Sequence, residues 1–84
     1  MSWHLGPNVR RHGHLLFDVE AGGYFALNPT AALVVDALIE GRSLAEAADK
    51  LSNAYVVTST QAHADVKALV SQLSRADLLM ERIT

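Results

Sequence analysis

Gly22-Gly23-Tyr24-Phe25-Ala26-Leu27-Asn28-Pro29-Thr30 is the stretch on which the fold turns, because it writes a turn, a short strand, a helix cap and a helix start without interruption. The glycines offer positive φ for a tight turn, and Tyr24 and Phe25 suit a pleated, half-buried surface. Asn28 followed by Pro29 matches the N-cap and first helical position. The strand is therefore short and runs directly into a helix. Alternation places Phe25 and Leu27 on one of its faces and Tyr24 and Ala26 on the other. Phe25 and Leu27 suit the core; Tyr24 is either a surface residue or a contact for something bound at the strand.

Upstream, Leu15-Leu16-Phe17 within His14 to Val19 reads as a preceding strand, with Ala21-Gly22-Gly23 as the hairpin turn between the two. Trp3 to Arg11, interrupted by Gly6-Pro7, reads as one irregular or edge strand, where proline's missing N–H does no harm. Downstream, Thr30 to Glu40 is an apolar helix broken only by Asp36 and Glu40, and Gly41 stands where a left-handed terminus is expected. Ser43-Leu44-Ala45-Glu46 is a capping box opening a second helix that ends near Ser52-Asn53, with Leu44, Ala47, Ala48 and Leu51 as its packing face. Thr58 with Gln61, or Thr60, caps a third helix reaching about Arg75. Its apolar stripe is Ala62, Val66, Leu69, Val70 and Leu73, and it should border the sheet. The tail from Leu78 to Ile83 suits either a last strand or a packed extension. The order is β-β-β-α-α-α, an α+β fold with a three-stranded antiparallel sheet followed by three helices, in a single domain over residues 1–84.

Composition narrows function by exclusion. Half of the residues are apolar and 19% are charged, so the chain has globular rather than disordered composition. Without cysteine there are no disulfides, thiolate metal ligands or cysteine nucleophiles, which suits a reducing cytoplasm. Seven Lys and Arg against nine Asp and Glu, dispersed along the chain, make a poor footprint for nucleic acid. The longest apolar run, Ala31 to Val35, is too short to cross a bilayer, and Met1-Ser2-Trp3-His4 lacks the form of a signal peptide. His12-Gly13-His14 has no accompanying carboxylate motif, so surface histidines explain it better than a metal site. No serine or threonine lies in a triad-like pattern, and the glycines lack a phosphate-loop lysine, so neither enzyme chemistry nor a cofactor is expected.

The ordered set Leu15-Leu16, Gly23-Tyr24-Phe25-Ala26-Leu27-Asn28, Ala31-Ala32, Leu38-Ile39-Glu40-Gly41, Ser43-Leu44-Ala45-Glu46, Tyr55-Val56-Val57, Asp65-Val66 and Leu73 resembles the PqqD-like family. Its members are also called recognition elements of ribosomally synthesised, modified peptides, or RiPP recognition elements. The resemblance covers most of the chain, from about residue 14 to about residue 80. It implies a winged helix-turn-helix-like domain that binds the leader segment of a precursor peptide as an added strand, between the edge of the third strand and the third helix. The site residues it implies are Tyr24, Phe25, Ala26 and Leu27 with Val66, Leu69, Val70 and Leu73, although each of the last four also suits ordinary core. The free-standing length resembles the leader-binding proteins of lasso-peptide clusters. That implies a peptide chaperone handing the precursor to a separate leader peptidase of the cysteine-protease type, after which the core passes to an ATP-dependent cyclase. Family members often carry glycine before the final Leu-Leu or Leu-Ile pair; here Asp77 precedes Leu78-Leu79.

An unpaired strand edge suits such a role, since its N–H and C=O groups can pair with an extended peptide whatever the side chains. Asp65 suits the positive end of the third helix's dipole, or a polar contact to the peptide. A DNA-binding winged helix is the alternative on the same elements. The third helix, however, offers only Gln61, Lys67, Gln72 and Arg75, scattered around it, to read base edges. Self-pairing of the open strand edge into a dimer is a further alternative.

Overall fold

The computed structural model describes residues 2–82; the Ile83 end of the expected tail strand lies outside the described residues. Along the chain run β1 (Ser2–Leu5), β2 (Val9–His12), β3 (Leu15–Asp18), β4 (Tyr24–Ala26), α1 (Pro29–Ile39), α2 (Leu44–Ala54), α3 (Ser59–Arg75) and β5 (Leu79–Arg82). Strands β2, β3 and β4 form the three-stranded antiparallel sheet, in that spatial order, and the three helices follow it, as expected for the winged helix-turn-helix-like α+β arrangement.

The N-terminal segment departs from expectation. It is not one irregular strand but two strands in different sheets: β2 joins the three-stranded sheet, whereas β1 pairs antiparallel with β5, Leu5 opposite Leu79 and Ser2 opposite Arg82. The open tail is thus a strand. The break falls at Gly6-Pro7 for a steric reason. Gly6 N–H donates to the Leu78 carbonyl at 3.2 Å, and a Cβ on Gly6 would stand 2.6 Å from the Asp77 carbonyl oxygen, well inside contact distance. Only glycine allows the chain to pass there.

The helix ends obey local chemistry. Asn28 caps α1 by accepting from Ala31 N–H at 2.8 Å, with Pro29 at the first turn. At the other end Gly41, at φ +99°, donates to Leu38 C=O while Arg42 donates to Ala37 C=O, a Schellman closure. The box at α2 is closed in both directions: Glu46 N–H to Ser43 Oγ at 3.1 Å, and Ser43 N–H to Glu46 Oε1 at 3.0 Å. The Ser43 amide is the main cause holding the Glu46 carboxyl below its ordinary pKa. Thr58 caps α3 through Gln61 N–H. Asp18 organises the turn between β3 and β4, its Oδ1 accepting from Ala21 and Glu20 amides at 2.8 and 2.9 Å, which lowers its pKa in that order of effect. Within this turn only Gly22 uses positive φ, at +81°.

The core joins Val9, Leu16 and Leu27 from the sheet to the inner sides of all three helices and to Leu78 and Leu79. No polar or charged side chain among the described residues is buried. Helix α3 takes α2 and β5 as its principal neighbours, so it borders the small β1–β5 sheet rather than lying chiefly along the three-stranded one. The cause is connectivity: the tight turn at Asp77 folds β5 directly back from the end of α3.

Candidate functional site

The register of β4 decides which of its backbone groups are free. Leu27 N–H donates to His14 C=O at 2.6 Å and Asp18 N–H to Gly23 C=O at 2.8 Å, and Leu16 stands opposite Phe25. Gly23, Phe25 and Leu27 therefore direct their backbone groups at β3. Alternation in an antiparallel ladder turns the N–H and C=O of Tyr24 and Ala26 to the other side, where no strand among the described residues pairs with them. Beyond Ala26 the edge closes, because Asn28 C=O already accepts from Ala32 N–H and Pro29 has no N–H.

Where β4 runs into α1, an open groove of about 360 Å³ begins. Helix α2 packs against both α1 and α3, which leaves a valley between those two. Asn28, Thr30, Ala31 and Val34 form one wall; Asp65, Ala68, Leu69 and Gln72 of α3 form the other, and the buried Leu51 of α2 lies at the bottom. The α3 wall repeats at i, i+3, i+4, i+7, a second stripe turned about a quarter of the helix circumference from the core stripe. Leu69 stands where the two meet.

Of the residues expected at a peptide site, Tyr24 is 74% exposed and Ala26 is exposed beside it, both on the free edge; Phe25 is half-buried against the core and Leu27 is buried. Val66, Val70 and Leu73 are core residues, at most 7% exposed, whereas Leu69 reaches the groove. Ala31, Val34, Ala68 and Gln72 were not among the expected residues. Their signal, the stripe beside the core stripe, is invisible until the position of α1 is known.

Asp65 is the one charged side chain among the residues lining the groove. Gln61 Nε2 donates to its Oδ1 at 2.7 Å across one turn of α3. No group of three or more His, Cys, Asp or Glu among the described residues is placed to hold a metal ion, and no helix is long and apolar enough to cross a membrane.

Comparison with known families matches residues 13–79 to the family described as Coenzyme PQQ synthesis protein D (PqqD). Among solved structures, the chain is similar to a lasso peptide synthetase B1 complexed with the leader peptide, at 34% identity and a TM-score of 0.86, covering 96% of this chain and 100% of the other. It shares the fold of TbiB1 in complex with the TbiA(beta) leader peptide, at 19% identity and a TM-score of 0.80 over 100% of both chains. No curated protein gives a significant match.

Proposed function

Because this chain belongs to the PqqD family, matched over residues 13–79, we propose that it is a non-catalytic recognition element that binds the leader of a ribosomally made precursor peptide. The observation that carries the reading is the free edge of β4, with the N–H and C=O of Tyr24 and Ala26 turned outward at the head of the groove. A leader segment added there as a strand gains backbone hydrogen bonds irrespective of its sequence, and alternate side chains enter the groove between α1 and α3. Tyr24, Ala26 and Leu69 then touch the leader, while Phe25, Leu27, Val66, Val70 and Leu73 hold the walls that it meets. The likeness to a leader-bound lasso peptide synthetase B1 supports a lasso-type precursor. In that setting the bound precursor is presented in the cytoplasm to a separate cysteine-protease-type leader peptidase, and its core passes to an ATP-dependent cyclase.

The test is titration of the purified protein with a labelled synthetic leader from the precursor encoded beside this gene, against random duplex DNA at physiological salt. Saturable leader binding is expected, with affinity lost in Tyr24→Glu and Leu69→Glu variants that keep the wild-type circular dichroism. Tight DNA binding without leader binding would overturn the reading.

A further inference from the structure

Resting on the leader-binding reading, we infer that Asp65 selects among peptides by pairing with a lysine or arginine side chain of the bound leader. The groove has the composition such a side chain needs. Ala68 and Leu69 offer apolar surface to a methylene stem over a floor of buried Ala31, Val34 and Leu51, and a single carboxylate stands on the α3 wall to meet the cationic head. Long cationic side chains distribute themselves in just this way, with the stem on apolar surface and the head at a polar partner.

Three observations separate this role from the ordinary ones for a surface acid. First, Asp65 is the seventh residue of α3, and the helix dipole acts within the first turn only, so the dipole does not account for it. Second, its carboxylate is half-engaged. Gln61 steadies Oδ1 from one turn back, leaving Oδ2 without a hydrogen bond among the described residues. Third, the ion pairs among the described residues join Arg11 to Asp36, Arg42 to Glu46 and Lys50 to Glu40, and none of these involves Asp65. Lys67 lies on the other flank of α3, in a hollow with Ser59 and His63.

The strand geometry supplies the approach. Leader residues hydrogen-bonded to Tyr24 and Ala26 share the outward face of those residues, so the residue between them projects to the face of Phe25 and Leu27, on which the helices stand. The cationic residue occupies that inward position or the next inward one, beside Leu27, at the strand end where the groove opens. Backbone pairing alone is indifferent to sequence; a charge pair is not, and it penalises an acidic residue at the same place.

The experiment is a double-mutant cycle by isothermal titration. Wild-type protein and Asp65→Asn, which retains an acceptor for Gln61, are each titrated with the same synthetic leader and with leaders in which each Lys or Arg is replaced singly by Met. The expected result is a loss of about 5-fold in affinity on Asp65→Asn. One Met-substituted leader should lose as much on wild type and nothing further on Asp65→Asn, and the wild-type affinity should fall more steeply with salt than that of the variant. Equal affinity of both proteins for the leader overturns the inference. So does a loss of affinity on Asp65→Asn that persists undiminished with every Met-substituted leader. Failure of the wild-type protein to bind the leader at all refutes the leader-binding reading itself, and is seen before any variant is made. The substituted leaders read the loss on the wild-type protein alone, and circular dichroism of Asp65→Asn checks that the variant keeps its fold.

Discussion

At residue 77 a single backbone conformation closes α3 and aims β5. Asp77 lies at φ 58°, its N–H donating to Ser74 C=O at 3.1 Å while Leu78 N–H reaches Leu73 C=O at 3.0 Å. An aspartate tolerates this left-handed position at a cost that glycine avoids. Asp77→Gly should therefore raise stability by about 0.5–1 kcal/mol, read from the urea midpoint, and an unchanged or lower midpoint would contradict that account. The residue was legible as a departure from the family pattern; its conformation was not, because Asp enters the left-handed region less readily than Gly and its presence alone does not signal that conformation. Asp18 carries a pH signature. Its pKa is lowered in the folded state from an ordinary 3.8 by the Ala21 and Glu20 amides. Its contribution to stability is therefore full above that value and is lost as the pH falls through the lower folded value. Asp18→Asn keeps an acceptor for the two amides and should flatten this acid-side decline in a series of urea midpoints from neutral pH downward.

Elements differ in how far their limits can be read locally. The three helices were legible because caps act within four residues: Asn28 with Pro29, Ser43 with Glu46, Thr58 with Gln61. The strands were less so, since a strand's partners lie elsewhere in the chain. Trp3 to Arg11 carries nothing local to say that its first part pairs with residues 79–82 and its second with β3. The alternation of β4, by contrast, was readable, and it makes a sharp prediction. Proline at residue 26 removes an N–H that faces outward, whereas at residue 25 it removes one bonded to β3. Ala26→Pro should keep the fold and weaken leader binding by about 3- to 10-fold, the worth of one backbone hydrogen bond. Phe25→Pro should lower the urea midpoint itself. Equal loss of stability in both would refute the assigned register.

Across the whole molecule, 38 × 29 × 19 Å with a radius of gyration of 12.3 Å, the decisive event is that α2 lies under both α1 and α3 and leaves a valley between them. This divides the apolar stripe of α3 into residues buried in the core and Leu69, which reaches the groove. Leu73, fully buried, should lose about 2–4 kcal/mol of stability on truncation to alanine. Leu69→Ala should cost clearly less in stability and more in leader affinity, and denaturation run beside titration on the two variants measures the contrast. The chain's own sequence was enough for the helices with their caps, the two faces of β4, and the character of a small α+β domain. Those properties follow from interactions between near neighbours and from counting. Which edge of which strand stays free, which flank of α3 faces α1, and where β1 and β5 pair were settled only by the tertiary structure. A helical stripe shows its angular position about its own axis, but the neighbour it faces is chosen by packing between elements far apart in the chain.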